Sequence, residues 1–153
     1  MDNRKKLFAI MALSSVIGLA GCDSGEDVVE SDSLYVKSDQ YKSESFTINT
    51  AQQVKLKATL LGGNAIEAYV VDESGYRLWV ATTQNNAFSN ATLSYIKSIT
   101  PLESSHETGW FNLTAGNYYI LFENTVFGTV KPGLAGGSSS VSYSVLTKST
   151  KKS

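Results

Sequence analysis

Residues 53–60 show the organising pattern of this chain most clearly. Val54, Leu56, Ala58 and Leu60 alternate with Lys55, Lys57 and Thr59. A period of two, with charge on one side, is the signature of a half-buried β-strand. The alternation returns at residues 45–49 through Phe46 and Ile48. It returns again at 91–99, where Leu93, Tyr95 and Lys97 oppose Thr92, Ser94 and Ile96. Residues 117–123 set Tyr118, Ile120 and Phe122 against Tyr119, Leu121 and Glu123, and residues 141–146 alternate in the same way. Residues 34–37 and 109–113 read as shorter strands. Residues 65–71 are apolar on both faces apart from Glu67, which suits a central strand.

Turn signals separate these runs. Gly62-Gly63-Asn64 and Thr114-Ala115-Gly116 close two of them. Asp72-Glu73-Ser74-Gly75 reads as a type I turn with a Gly bulge. On that reading residues 76–82 form the return strand of a hairpin, with Tyr76, Leu78 and Val80 on one face and Arg77, Trp79 and Ala81 on the other. Residues 83–90, 100–108 and the Gly- and Ser-rich 128–140 are expected as loops. No helix is predicted after residue 22. The sum is an all-β chain, an antiparallel β-sandwich of seven or eight strands, jelly-roll or Ig-like, over residues 34–148. A small closed barrel is the main competing architecture. Residues 149–153 form a polar tail.

The N-terminal segment has a different character. Arg4, Lys5 and Lys6 precede an uncharged run from Leu7 to Ala20. A basic head, an apolar core and small residues before a cut describe a secretory signal over residues 1–21. Ser14 and Ser15 and the short length argue against a permanent membrane span. Leu19-Ala20-Gly21-Cys22 closely resembles the lipobox of bacterial lipoproteins. That resemblance implies cleavage before Cys22, a diacylglyceryl group on its thiol and acylation of the new amino terminus. Two acyl chains hold a protein at a bilayer where one holds only weakly. Cys22 is the only cysteine, so no intramolecular disulfide can form, and lipidation accounts for the odd thiol.

Charge adds a linker to this picture. The chain carries a formal net charge of −1, and loss of residues 1–21 would leave −3. Residues 23–32 hold five acids and no base. Residues 22–33 therefore read as a lipidated, disordered acidic tether. Acidic residues directly after the lipidated Cys resemble inner-membrane retention signals in enteric bacteria and serve other routes elsewhere, so either membrane is compatible. The remainder is close to neutral and lacks the basic face of a nucleic-acid binder.

Two stretches carry a further resemblance. Glu67-Ala68-Tyr69-Val70-Val71 and the segment from Phe111 to Tyr119, FNLTAGNYY, look like the Asp-Leu-Tyr-Val strand and the Leu-Pro-Ala-Gly-Thr-Tyr-Tyr hairpin of the bacterial pre-peptidase C-terminal β-sandwich group. The chain departs from that pattern at Glu67, where Asp is usual, and at Thr114, where Pro is usual. The resemblance implies an accessory sandwich for binding or targeting with no catalysis of its own.

Candidate chemistry is sparse. His106 is the only histidine, which leaves neither a zinc ligand set nor an evident Ser-His-acid arrangement. Residues 133–137 lack the Lys-Ser/Thr ending of a phosphate loop. Glu67, set in an apolar strand, is expected to face outward, to pair with a cation or to contribute to a calcium site. Trp79, with Arg77 and Tyr69, is the candidate stacking or protein-contact platform. No cofactor or metal is expected. The expected function is a lipid-anchored, non-enzymatic envelope module that binds a protein, peptide or glycan and faces the periplasm or exterior. A small hydrolase using Glu67 or His106, or a purely structural surface lipoprotein, is the alternative.

Overall fold

The computed structural model describes residues 25–85, 93–134 and 136–148. Residues 1–24, which include the expected signal segment and Cys22, and the tail at 149–153 lie outside the described residues. The order is β1 (Glu26–Lys37), β2 (Gln40–Ile48), β3 (Gln52–Gly62), β4 (Ile66–Asp72), α1 (Glu73–Asn85), β5 (Lys97–Leu102), β6 (Ser105–Glu107), β7 (Phe111–Leu113), β8 (Gly116–Asn124) and β9 (Ser138–Lys148). The strands form two antiparallel sheets. One runs β1-β9-β3-β6, with β7 also paired to β3, and the other runs β2-β8-β4-β5. This is the antiparallel β-sandwich expected, with nine strands among the described residues instead of seven or eight.

The core lies between the sheets and follows the period-two pattern. Val54, Leu56 and Ala58 of β3 and Val141, Tyr143 and Val145 of β9 meet Ile66, Ala68 and Val70 of β4 and Tyr118, Ile120 and Phe122 of β8. Fully burying a side chain of this size is worth about 1.5–3 kcal/mol against leaving it exposed. The layer therefore supplies the main drive to fold.

Three expectations change, besides the strand read at residues 91–99, which begins only at Lys97 as β5 and runs on to Leu102. First, β1 begins at Glu26, inside the stretch read as a disordered tether. Its acids do not prevent pairing, because β1 lies at a sheet edge beside the Ser-rich β9, from Glu26↔Lys148 to Lys37↔Ser138. Glu26 also has two cationic partners on β3, Lys55 at 2.7 Å and Lys57 at 3.3 Å. The Lys55 hydrogen bond holds the Glu26 carboxyl below its ordinary range, and Glu26 raises Lys55 in return. Lys55 lies 4.7 Å from the centre of the Trp110 ring, which gives its cation an aromatic face as well.

Second, residues 100–108 are not simply a loop. β5 runs through Pro101 and β6 follows. Pro101 fits because β5 is an edge strand, where a missing N–H can face solvent.

Third, the expected hairpin strand at 76–82 is the helix α1. Asp72 caps it instead of opening a turn. Its carboxylate accepts the Gly75 N–H at 2.8 Å and the Ser74 hydroxyl at 2.7 Å. A side-chain acceptor at this position satisfies one of the free N–H groups of the first turn. The Gly75 hydrogen bond, then Ser74, holds the Asp72 carboxyl below its usual value. Glu73 and Arg77 form an ion pair one turn apart on the exposed side. Tyr76, Trp79 and Val80 have helical spacing, so Tyr76 and Trp79 share one face instead of opposing each other.

Helix α1 covers the outer face of β4 and β8. Tyr69, Val71, Trp79 and Leu121 form a second buried cluster there, joined by Tyr41, Tyr76, Tyr119 and Phe127. This explains why β4 is apolar on both faces. One face meets the opposite sheet and the other meets the helix.

Asp72→Ala should reduce unfolding free energy by about 1 kcal/mol through loss of the cap. Urea titration with circular dichroism measures it. Unchanged stability would show that Asp72 does not set the helix start.

Candidate functional site

The covering of the outer face is completed by the segment after β8, and two features meet beneath it. The first is a buried carboxyl pair. Glu67 on β4 and Glu123 on β8 are directly opposite in register. Both are 0% exposed. They sit on the outward side of their strands with Tyr69, Val71 and Leu121, so the apolar pattern that buries those residues buries the acids too. The expectation that Glu67 faces outward is therefore half right. It faces away from the main core into a second covered layer.

Residues 125–129 close over the pair. Glu123 Oε1 accepts the Thr125 N–H at 2.6 Å and the Thr125 hydroxyl. Glu67 Oε2 accepts the Thr129 N–H at 2.9 Å. The Phe127 N–H donates to Thr125 Oγ1 at 3.1 Å, which continues the chain of hydrogen bonds into the turn. Gly128 sits over the acids so closely that an added Cβ would overlap both Glu123 Oε2 and Glu67 Oε2. These two oxygens thus border the same small volume. Among the described residues, Glu67 Oε1 and Glu123 Oε2 have no hydrogen-bonding partner. Burial pushes the Glu123 carboxyl up to about 7, with the Thr125 hydroxyl pulling it down and Glu67 pushing it up. Burial, opposed by Thr100 and reinforced by Glu67, also raises the Tyr69 phenol.

The second feature is an open cleft of about 590 Å³ beside the pair, lined by Asp39, Gln40, Tyr41, Thr83, Gln84, Thr125, Val126 and Phe127. One wall is the start of β2, one is the C-terminal part of α1, and the third is the turn that hangs from Glu123. Asp39 has a positive φ of 59°, which turns the chain into β2. Behind the cleft, Tyr41 meets Trp79 edge to face at 5.9 Å, and Tyr76 stacks on Tyr119 at 4.1 Å. Two aromatic side chains beside amides and hydroxyls are the ordinary make-up of a ligand site.

Of the three sequence candidates, two are brought together and the third is not. Trp79 and Tyr69 share the buried cluster under α1, 7% and 8% exposed. Tyr69 packs against Tyr95 at 5.2 Å. Arg77 is on the exposed side of α1 with Glu73. Trp79 thus supports the cleft from behind through Tyr41 and does not line it. His106 is exposed on β6, its Nε2 3.1 Å from the Ser104 hydroxyl. Neighbouring Glu107 lies by Lys55, at 3.6 Å, and not on the imidazole. Glu67 does have a second carboxyl beside it, in a site closed to solvent. Among the described residues no group of three or more His, Cys, Asp or Glu is placed to hold a metal, and no helix is long and apolar enough to cross a membrane. The partner acid Glu123 was missed in the sequence. Its signal is an acid at the end of an apolar run, on the face that also carries Tyr119 and Leu121.

No family model matches the chain, and no curated protein matches it. Among solved structures, the chain is similar to the pre-peptidase C-terminal domain of a collagenase from Bacillus anthracis, with 12% identity, a TM-score of 0.43, and coverage of 73% of this chain and 87% of that one.

The raised Glu123 carboxyl fixes the sign of a pH effect. The folded chain keeps a proton that the unfolded chain releases near 4.5. Stability is therefore fully present below that value, falls as pH rises to about 7, and is level beyond. The fall should total roughly 3 kcal/mol. Glu26 and Asp72, shifted the other way, act at lower pH. Urea unfolding across this range should show the decline in the parent chain and a flat profile in Glu123→Gln. An equal decline in the variant would contradict the assignment.

Proposed function

We propose that the chain is an exported, lipid-anchored β-sandwich module without catalytic activity that binds a neutral glycan of the cell envelope in the cleft beside Tyr41. The observation that carries the reading is the make-up of that cleft. Tyr41 and Phe127 offer ring surface, on which the apolar face of a sugar can stack. Gln40, Gln84, Thr83 and Thr125 offer donors and acceptors for hydroxyls, and Asp39 adds a single acceptor with charge. A cleft with one acid and no base among its lining residues suits a hydroxyl-rich neutral ligand better than an anion.

Support for the address comes from the N-terminal sequence. The basic head, apolar core and Leu19-Ala20-Gly21-Cys22 give the chain an export signal and a lipid attachment site. If Cys22 carries the lipid, β1 follows after only a few residues, so the sandwich works close to the bilayer. A connector of n residues reaches at most about 3.3–3.6 Å per residue. Periplasmic and surface orientations both fit.

The buried carboxyls speak against the hydrolase alternative. General acid–base chemistry needs a group within hydrogen-bond reach of substrate, and Glu67 and Glu123 are covered by residues 125–129. His106 is reachable but, among the described residues, has no acid on its imidazole.

Retention on isolated envelope polysaccharide tests the reading. Gln84→Ala, at an exposed position, should weaken binding about threefold to tenfold, as expected for one lost neutral hydrogen bond. Its thermal stability should be unchanged. Retention of the parent and variant chains to the same degree, or of neither, would remove the cleft as the binding site.

A further inference from the structure

The wall of the cleft is not held by its own packing alone. Thr125, Val126 and Phe127 line the cleft, and the turn that carries them hangs from the two carboxyls. Thr125 donates twice to Glu123, Phe127 donates to Thr125, and Thr129 donates to Glu67. We propose that Glu67 and Glu123 form a clamp in which a proton held on Glu123 faces Glu67 and keeps the cleft wall closed, and in which loss of that proton releases the wall. This rests on the cleft reading for its functional meaning, but the clamp itself does not require a ligand.

The geometry gives the reason. Two carboxylates face each other across adjacent strands with their Oε2 atoms around one point under Gly128. One proton there supplies the hydrogen bond that Glu123 Oε2 otherwise lacks. Without it, the Glu123 charge lies beside a second carboxyl in a dry layer, which is strongly unfavourable. The cheapest relief is hydration, and the segment separating the acids from water is residues 125–129.

Among the described residues, the surroundings offer no cation to replace the proton. On β2 the residue in register with Glu123 is Tyr41. On β4 the nearby titratable group is Tyr69, and from β5 Thr100 reaches Tyr69. Lys97 of β5 is exposed and opposite Val70. The charged residues of α1, Glu73 and Arg77, pair with each other on its outer side. In the turn itself, Lys131 donates to the carbonyls of Val126 and Gly128, at 2.6 and 2.7 Å, and not to either acid. Lys131 thus braces the turn from outside while the acids hold it from inside. The range in which the clamp would let go is set by Glu123, pushed up to about 7.

Amide hydrogen exchange on the full chain, followed by NMR at pH 5.5 and 8.5, tests this without any ligand. Protection factors at Thr125, Phe127 and Thr129 should fall at least tenfold between the two, while amides of β3 and β9 keep theirs. Glu123→Gln supplies amide donor hydrogens in place of that proton, so its turn should stay protected at both values. Three results would overturn the clamp: protection in the parent chain that does not change with pH, loss of equal size in Glu123→Gln, or protection at pH 8.5 restored by millimolar calcium, which would make the pair a cation site. Failure of polysaccharide binding leaves these readouts untouched, so the two readings fail separately.

Discussion

The four-stranded sheet has two apolar faces and one partner sheet, and the rest of the structure answers that imbalance. Ile66, Ala68 and Val70 of β4 enter the main core, while Tyr69 and Val71 point the other way. β8 repeats this with Ile120 and Phe122 on one side and Leu121 on the other. A sheet buried on both faces needs a second cover. Helix α1 supplies most of it, and the turn after β8 supplies the remainder. The carboxyl pair and the cleft both lie where these two covers meet.

This arrangement ties local sequence to the site in a short chain of causes. Asp72 ends β4 and caps α1 in one step, which brings Trp79 down onto Tyr41 of β2 and Tyr76 onto Tyr119 of β8. Tyr41 is then held from behind and faces the cleft. Glu123 carries the turn that forms the facing wall. Gly128 suits this place because a side chain there would push the two carboxyl groups aside. The opposite sheet takes no part in this. Its outer face is occupied by the Lys55 network with Glu26, Glu107 and Trp110, which fastens β1 across β3.

Much of the fold was legible in the pattern of apolar positions. β3 and β9 alternate cleanly because one side of each meets the core and the other is only thinly covered. The helix was not legible as such, because YRLWV satisfies a period of two as well as a helical spacing, and an Asp-x-x-Gly start suits both a turn and a cap. Tertiary burial decided between them, since the outer face of β4 needed a cover. β1 was hidden by its acids, which are tolerated on an edge strand beside Lys55 and Lys57. Glu67 stood out as a lone acid among apolar residues, yet its meaning depends on Glu123, and strand register across 56 positions is not written in either segment alone. The cleft was least legible of all, because its walls come from β2, α1 and the turn after β8.

The proposed clamp closes the second layer of the sandwich through a proton that the buried acid pair keeps below about pH 7. Infrared difference spectroscopy between the parent chain and Glu123→Gln observes that proton directly, through the carbonyl stretch of a protonated carboxyl group. The account predicts a protonated-carboxyl band in the parent chain at pH 5.5 that disappears as pH rises through about 7 and that is missing from the variant. A spectrum showing two ionised carboxylates at pH 5.5, with no such band, would contradict it.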